Sequence, residues 1–398
     1  MKKIVTIIGA RPQIIKSAAL SNVLKKKYRG QIQEVLVHTG QHYSESMSNV
    51  FFQELGLSLP DYNLEVGSAS HGIQTADMIK GLEEIFLKER PKAVVVYGDT
   101  NSTLAAAIAA SKIHIPIVHI EAGLRSFDKS MPEEINRILC DHTSTLLFSP
   151  TIAGVENLKK EGFSTDTKEP YSADNPKVYH CGDIMYDNHL YYSQKVNELL
   201  SPYELMTLQS QNYFLCTVHR PDNTDNPTHL REIFEAFLAL MEKYPKHLLY
   251  LPLHPRTQRA LRLNMLEDFR KQIEEHERIK ILPPVSYVNM IALQQNCDLI
   301  ITDSGGLQKE AYFANKLSVI LRNNTEWTEI VENDAAILTG WKKESILDGI
   351  KAVMETIKIG ATKFPPIFGN GNAAEFIADE IHKICQYEIK NLNEEKER

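Results

Sequence analysis

Short runs of apolar and β-branched residues alternate with longer amphipathic segments along the whole chain. The strand-like runs are 3–8, 34–39, 93–97, 117–120, 146–149, 177–180, 213–218, 248–251, 279–282, 299–302 and 318–321. Between them, as in 74–89 and 229–243, apolar residues recur every three to four positions, which predicts helices. Strands separated by helices form parallel sheets covered on both faces. Eleven strands in two groups therefore predict an α/β protein with two doubly wound domains rather than one barrel.

A polar, proline-containing segment without periodicity, residues 163–176, marks the expected domain boundary. It equally fits a surface insertion just before the last strand of the first domain. With the boundary there, the first domain covers 1–176 and the second covers 177–371. The remaining residues, 372–398, form a predicted helix to about 390 and a charged tail.

Composition narrows the class of protein. The 398 residues carry 44 basic and 51 acidic side chains, a net charge of −7, which argues against nonspecific binding to nucleic acid or anionic membranes. A local basic pocket stays possible. Five cysteines without CxxC spacing are expected to be reduced thiols. The short apolar start is broken by Arg11, so we expect no signal peptide, no membrane span and a cytoplasmic protein.

In open α/β sheets, ligands bind beyond the carboxyl ends of the strands, so the residues there are the first candidates for chemistry. The first strand leads into a turn and helix start with Arg11 and Lys16, which could bind an anion together with backbone N–H groups. Their alternative is a surface Arg and Lys on a plain turn. The segment is neither a Walker loop nor GxGxxG, which argues against P-loop NTPases and hydride-transferring dinucleotide enzymes.

Three carboxylates follow later strands or a helix start in the first half. Asp99 and Glu121 follow strands directly, while Glu133 begins a helix and lies four residues before Arg137. Taken singly, Asp99 fits a helix cap and Glu133 fits a surface pair with Arg137. Clustered in one site, carboxylates push each other's pKa values apart and supply both a proton donor and a proton acceptor. We therefore expect a catalytic cluster.

The second half offers an anion site. His219 ends one strand and can contact a phosphate or act as an acid. Ser304, Gly305 and Gly306 open a helix whose backbone N–H groups are available to a phosphate, although Ser304 also fits a plain cap. Glu310 lies one turn further on and could bind a ribose, and Arg322 ends the next strand. Histidines, cysteines and carboxylates show no metal-ligand spacing, so we expect neither a metal nor a cofactor.

Five segments, taken in order, resemble the non-hydrolysing UDP-N-acetylglucosamine 2-epimerases over about residues 1–385. They are Gly9-Ala10-Arg11-Pro12, Gly98-Asp99-Thr100, Glu121-Ala122-Gly123-Leu124-Arg125, Pro132-Glu133-Glu134-Ile135-Asn136-Arg137 and Asp303-Ser304-Gly305-Gly306. The resemblance implies a GT-B-like fold, with two Rossmann-like domains around a cleft and the C-terminal helix packing back on the first domain. It also implies an isomerase that commonly forms homodimers and serves surface polysaccharide synthesis.

The implied reaction converts UDP-GlcNAc to UDP-ManNAc. UDP leaves by anti elimination to give 2-acetamidoglucal and then adds back after C2 is protonated on the other face. By resemblance the catalytic residues are Asp99, Glu121, Glu133 and His219. The substrate-binding residues are Arg11, Lys16, Arg137, Ser304, Gly305, Gly306, Glu310 and Arg322.

Two departures from the family pattern leave the substrate open. The chain has His219-Arg220-Pro221-Asp222 where many members read His-Arg-Arg-Glu, and Thr325-Glu326-Trp327 where they read Thr-Glu-Arg. Both resemble the branch acting on UDP-2,3-diacetamido-2,3-dideoxyglucuronate, which is the alternative substrate. A third departure, Gln41-His42-Tyr43-Ser44 in place of Gln-x-x-Gln, argues against activation by a second UDP-GlcNAc. More distant alternatives are a GT-B glycosyltransferase and a nonenzymatic UDP-sugar sensor.

Overall fold

The computed structural model describes residues 1–40, 52 and 54–386, and Gln41–Ser44 lie outside these described residues. It divides the chain into two compact units. The first unit comprises Met1–Asn188 and the chain from Ile367 onward, and the second comprises His189–Pro366. Each unit is built on one parallel sheet, as the alternation of strands and helices predicts.

The sheet of the first unit has, among described residues, seven parallel strands in the order β3-β2-β1-β4-β5-β6-β7. The strands are β1 Lys2–Ile8, β2 Ile32–His38, β3 Tyr62–Asn63, β4 Ala93–Tyr97, β5 Ile117–Ile120, β6 Leu146–Ser149 and β7 Lys177–His180. The helices are α1 Arg11–Lys27, α2 His71–Glu89, α3 Asn101–Lys112, α4 Pro132–Asp141, α5 Ile152–Lys160 and α6 Ile184–Leu199. The division between the units falls within α6.

The sheet of the second unit has six described parallel strands in the order β10-β9-β8-β11-β12-β13. The strands are β8 Tyr213–Thr217, β9 Leu248–Pro252, β10 Ile279–Leu282, β11 Leu299–Thr302, β12 Ser318–Ile320 and β13 Ala336–Leu338. The helices are α7 Pro202–Gln209, α8 Pro221–Thr224, α9 Pro227–Lys243, α10 Pro255–Asn264, α11 Glu267–Glu274, α12 Tyr287–Asn296, α13 Gly305–Phe313, α14 Thr328–Glu332 and α15 Lys343–Ile359.

The central strands are buried because helices cover both faces of each sheet. Every residue of β4, with the sequence AVVVY, is buried, and so is every residue of β8 and β11. Continuous apolar runs of this kind are typical of parallel strands buried on both faces. The order β2-β1-β4-β5 in one unit and β9-β8-β11-β12 in the other creates a topological switch point beside β1 and β8. Ligands of doubly wound sheets bind at such points.

Strand β7 belongs to the first unit, which does not agree with the expected division of the chain at 176/177. Its residues pair in parallel register with β6, Leu146 with Lys177 and Ser149 with His180, so the strand completes the first sheet. Segment 163–176 is accordingly an insertion within the first unit, which was the alternative interpretation of its polar sequence. The chain divides instead after Asn188.

Near its end, the chain returns to the first unit. Helix α16, Ala373–Ile384, packs on α1: Tyr28 donates a hydrogen bond to Asp379 at 2.7 Å, and Lys27 pairs with Glu375 at 2.7 Å. Apolar residues of α16, including Ile377 and Ile381, join the buried core beneath β1 and β4. Among the described helices, none has the length and apolar character needed to cross a membrane.

Candidate active site

Glu121 and Lys16 form a buried ion pair at the carboxyl end of the first sheet. Glu121 follows β5 directly, and Lys16 reaches it from the second turn of α1; each side chain is only 10% exposed. Glu121 has a φ of +74°, a conformation that costs a residue with a side chain about 1–2 kcal/mol. Strain of this kind is concentrated at functional sites. The fold thus holds this carboxylate in a position that local preference disfavours.

Gly98 fits against this ion pair. It lies in the turn after β4 with a φ of +62°, and a Cβ there would be 3.0 Å from Glu121 Oε2 and 3.2 Å from Lys16 Nζ. Glycine alone adopts this conformation without strain and leaves room for the pair. The turn that carries Asp99 is therefore packed directly against Glu121 and Lys16.

Asp99 is ion-paired with Arg137, and its side chain is about one third exposed. Thr100, rather than Asp99, caps α3 by accepting a hydrogen bond from Thr103 N. Burial raises the pKa of Asp99, Arg137 opposes this, and the nearby charges of Glu121 and Glu133 raise it further. Asp99 is thus a carboxyl in reach of solvent whose proton affinity is increased by its surroundings.

Arg137 pairs with Asp99 and with Glu134, the neighbour of Glu133 on α4. Glu133 is exposed, whereas Glu134 is buried and accepts a hydrogen bond from Arg137 Nε at 3.1 Å. Glu134 also accepts from the backbone N–H groups of Ser126 and Phe127, both at 2.9 Å. Burial by itself would raise the pKa of Glu134, but these donors and Arg137 lower it on balance. Glu134 therefore orients Arg137 and the loop before α4.

Arg11, the first residue of α1, is exposed at the same end of the sheet. The neighbouring turn is held by Gln13, whose carbonyl accepts from Gly9 N at 2.8 Å and whose amide donates to Tyr97 O at 2.9 Å. Sequence reasoning missed Gln13. It links the turn after β1 to the turn after β4 and so fixes the relative positions of Arg11 and Asp99.

In the second unit, the buried carboxylate of Asp303 organises the turn after β8. It accepts hydrogen bonds from the backbone N–H groups of His219 at 3.0 Å and Arg220 at 3.0 Å, and from the Asn223 side chain at 3.0 Å. The His219 ring is 37% exposed. Burial lowers the pKa of His219 and the nearby arginines add to this, while Asp303 opposes it. The lowered pKa favours the neutral form of His219, which can accept or donate a proton.

Ser304, Gly305 and Gly306 begin α13 as predicted. Ser304 is the N-cap, and its hydroxyl accepts from Leu307 N, which is the plain capping role. Gly305 packs against the Glu326 carboxylate, where a Cβ would overlap with Oε1. Gly306 is exposed and has only Ser304 Oγ near a hypothetical Cβ, at 3.9 Å. The helix start thus leaves room for a ligand beside Gly306.

Arg322 is buried beside this helix start. Its Nη2 bonds Glu326 Oε2 at 2.9 Å, and its Nη1 has no hydrogen-bond partner within the described residues. Burial would raise the pKa of Glu326, but Arg322 and Arg220 lower it on balance, so the carboxylate is ionised. Arg220, Arg322 and Trp341 are among the residues lining a cavity of about 580 Å³ in this unit. One turn along α13, Glu310 accepts from Gln294 Nε2 at 2.6 Å.

The structure therefore gathers the predicted residues into two groups, one in each unit. Arg11, Lys16, Asp99, Glu121, Glu133 and Arg137 lie at the carboxyl end of the first sheet. His219, Ser304, Gly305, Gly306, Glu310 and Arg322 lie at the carboxyl end of the second. The first group offers ionisable carboxylates for proton transfer. The second offers backbone N–H donors and a buried guanidinium for an anion.

The sequence model of the family described as UDP-N-acetylglucosamine 2-epimerase matches residues 25–382. The chain belongs to this family. Members of the family are isomerases, so the protein is an enzyme of that class. The five segments of the sequence that resemble this family agree with the assignment, and so do the two groups of candidate site residues.

Two curated relatives are similar over nearly all of both chains. A UDP-N-acetylglucosamine 2-epimerase homolog of Methanococcus maripaludis is 44% identical, covering 96% of this chain and 100% of the relative. The UDP-2,3-diacetamido-2,3-dideoxy-D-glucuronate 2-epimerase of Pseudomonas aeruginosa is 41% identical with the same coverage. Each of the two substrates considered from the sequence is thus represented among relatives of this family.

The solved structure of Methanocaldococcus jannaschii UDP-GlcNAc 2-epimerase, in complex with UDP-GlcNAc and UDP, matches with a TM-score of 0.84 and 38% identity. The match covers 96% of this chain and 99% of that chain. It confirms the predicted fold class, a GT-B-like α/β protein with two Rossmann-like domains.

Proposed function

We propose that this 2-epimerase interconverts UDP-GlcNAc and UDP-ManNAc by eliminating UDP and adding it back. The observation that carries the proposal is the pair of carboxylates Asp99 and Glu121, held at adjoining strand ends with their cations Arg137 and Lys16. Clustered carboxylates of unequal environment supply the proton acceptor and donor that inversion at C2 requires. The UDP-GlcNAc 2-epimerase structure from M. jannaschii supports the substrate.

In the proposed elimination, a carboxylate removes the C2 proton while the C1–O bond to UDP breaks on the opposite face. The electrons of the C2–H bond form the C1–C2 double bond of 2-acetamidoglucal, and the leaving oxygen carries its electrons away with UDP. Protonation of C2 from the other face and return of UDP to C1 complete the inversion. Asp99, Glu121 and Glu133 are the proposed acid–base residues.

The anion that leaves must be stabilised. In the second unit, the backbone N–H groups of Gly305 and Gly306 at the start of α13, the guanidinium of Arg322 and His219 are suited to a diphosphate. Ser304 contributes its capping hydroxyl to the helix itself, so we propose that it shapes this site rather than binding phosphate through Oγ. Glu310 is proposed to hold the ribose, and Arg11 is proposed as an anion-binding residue of the first unit.

The role that we propose for Lys16 differs from the one expected from the sequence, which was binding of the diphosphate. Its ammonium group is paired with Glu121 in a buried position. We propose that Lys16 holds Glu121 in the orientation needed for proton transfer. If Lys16 also contacted the diphosphate, its ammonium group would have to bind both Glu121 and the diphosphate.

The test is exchange of the C2 proton in D2O, followed by proton NMR of UDP-GlcNAc. Asp99→Asn and Glu121→Gln should each reduce exchange by at least about 100-fold, the size expected for loss of general acid–base catalysis. Glu156→Gln is the matched control, because Glu156 is a surface carboxylate paired with Lys159 on α5. Full exchange by either site variant would contradict the proposal.

A second substrate, UDP-2,3-diacetamido-2,3-dideoxyglucuronate, is favoured by the P. aeruginosa relative. Parallel reactions with the two substrates discriminate between them, and turnover of the uronate alone would overturn the UDP-GlcNAc proposal. Neither reaction needs a sugar acceptor, which a glycosyltransferase would require.

We also propose that the enzyme is a homodimer, from the resemblance alone. Size-exclusion chromatography with light scattering should give twice the monomer mass, and a monomer at micromolar concentration would contradict this.

A further inference from the structure

His119 is a fully buried histidine directly behind the carboxylate group of the first unit. It lies in β5, two residues before Glu121. Its Nε2 is 2.8 Å from the carbonyl oxygen of Gly98, and its Nδ1 is 2.6 Å from Asp141 Oδ1 on α4. Both contacts are within hydrogen-bond distance, so both ring nitrogens need a compatible partner.

Neither partner of His119 can donate. The Gly98 oxygen is a backbone carbonyl and only accepts. Asp141 already receives two other donors on Oδ2, Arg125 Nη2 at 2.7 Å and Gly123 N at 3.1 Å, which fixes it as an ionised acceptor. A neutral imidazole would place a lone pair against one of these oxygens. Both ring nitrogens must therefore carry a proton, and His119 is an imidazolium.

Through these bonds the imidazolium connects the two turns that carry the proposed catalytic carboxylates. One bond holds the Gly98 carbonyl, whose neighbour is Asp99. The other holds Asp141, which in turn holds Gly123 N in the loop that begins at Glu121. The network ends at Arg125, which binds Glu161 through Nε at 2.6 Å and Nη2 at 2.8 Å.

We propose that His119 is a positioning residue, permanently protonated, which sets the separation and orientation of Asp99 and Glu121 for catalysis at C2. This rests on the proposed function for its consequence in catalysis, but the charge state stands on the geometry alone. His119 does not touch the substrate site: its exposed surface is 0%. Its role is exerted through the backbone of Gly98 and through Asp141.

The charges around His119 are compatible with this state. Facing it are Asp141 and the thiol of Cys140 from α4, with Arg125 behind Asp141. Burial by itself would lower the pKa of His119, but Cys140 and Asp141 raise it well above 6.5 on balance. Burial would raise the pKa of Asp141, but His119 and Arg125 lower it. The His119 imidazolium and the Arg125 guanidinium thus share the carboxylate of Asp141, and Arg125 also pairs with Glu161.

The charge state is tested on the wild-type protein by long-range proton–nitrogen NMR of ¹⁵N-histidine. His119→Gln identifies the signal among the 14 histidines. Both ring nitrogens should show the shifts of protonated imidazolium at pH 7.5 and remain unchanged as the pH is raised to 8.5. A neutral tautomer at pH 7.5 would overturn the proposal. This readout does not depend on activity.

The positioning role is tested by the rate of C2 proton exchange in His119→Gln. Both N–H donors of glutamine are on one nitrogen, so its side chain cannot replace the two ring nitrogens that bond Gly98 and Asp141, and the two turns lose their link. We expect kcat to fall by about 10- to 100-fold with KM for UDP-GlcNAc changed less than threefold, because misplacement of about 1 Å has effects of this size. Unchanged kcat would overturn the positioning role.

His247→Gln is the matched control, since His247 is a partly buried histidine that pairs with Asp298 at 3.3 Å in the second unit. If both variants lose similar stability but only His119→Gln loses kcat, positioning is supported. An equal loss of kcat in the two variants would contradict it. Absence of exchange in the wild-type enzyme would instead refute the proposed function and leave the NMR result standing.

Discussion

The start of helix α13 gives a sharp prediction, because its two adjacent glycines have opposite surroundings. At Gly305, a Cβ would overlap with Glu326 Oε1, far inside the ordinary contact distance of 3.4 Å. At Gly306, the nearest heavy atom would be 3.9 Å away. Gly305→Ala and Gly306→Ala are therefore a matched pair that differs in one contact.

The expected free energies follow from these contacts. Replacing a glycine by alanine where the backbone conformation suits both stabilises a protein by about 0.4–1 kcal/mol, so Gly306→Ala should be stabilised by about 0.5–1 kcal/mol. In Gly305→Ala, the Glu326 carboxylate must move and loses its 2.9 Å bond to Arg322. A hydrogen bond between charged groups contributes about 1.5–3 kcal/mol, so Gly305→Ala should be destabilised by about 0.5–2 kcal/mol net.

The assay is urea unfolding at pH 7, monitored by circular dichroism and with the free energy of unfolding compared between the two variants. We expect a difference of about 1–3 kcal/mol in favour of Gly306→Ala. Calorimetry with UDP then tests the anion site, which Gly305→Ala should weaken by disturbing Arg322. Equal stabilities would show that Glu326 does not pack against Gly305 and would refute this account of the helix start.

Three further predictions concern the first unit. Gly98→Ala should slow C2 exchange and cost at least about 1 kcal/mol more in urea unfolding than Gly30→Ala. Both glycines have positive φ, but only Gly98 has neighbours that a Cβ would crowd, and equal costs would contradict this. Asp141→Asn should lower the free energy of unfolding by about 3–5 kcal/mol, because it leaves the buried imidazolium of His119 without its carboxylate partner, and a loss below 1 kcal/mol would refute the charged network. Burial raises the pKa of Asp187 from 3.8 to about 6, so the folded state binds its proton more tightly than the unfolded state does. The free energy of unfolding of the wild type should therefore fall, relative to that of Asp187→Asn, as the pH rises from about 4 to 6. At pH 7 the variant should be about 1–3 kcal/mol more stable than the wild type. Parallel pH profiles of the two proteins would contradict this prediction.

Much of the fold could be predicted because the apolar runs of parallel strands are local signals. The strands β4, β5 and β6 lie where the sequence predicts them. Strand β3 was missed because it has only two residues, and the three-residue strand β13 was missed as well. The division at 176/177 depended on composition, and composition cannot show that residues 177–180 pair with β6.

The residue types of the candidate site could be predicted from the sequence, whereas the contacts that these residues make could not. Asp99 and Glu121 could be chosen because they follow strands directly, and in the structure each pairs with a basic side chain, Arg137 and Lys16 respectively. Helix periodicity does not decide between Glu133 and Glu134, since only packing shows which one turns inward towards Arg137. His119 could not be identified from the sequence, because it lies in the otherwise apolar strand β5. The residue that stabilises its charge, Asp141, lies 22 residues later in the chain.

In the proposed reaction, this chain removes and returns the proton at C2 of a UDP-N-acetylhexosamine. The most direct measurement is NMR of UDP-GlcNAc incubated with the enzyme in D2O, without an acceptor sugar. We predict incorporation of solvent deuterium at C2 together with the appearance of UDP-ManNAc. Absence of exchange with UDP-GlcNAc and with every other UDP-N-acetylhexosamine tested, the diacetamido uronate included, would contradict the account.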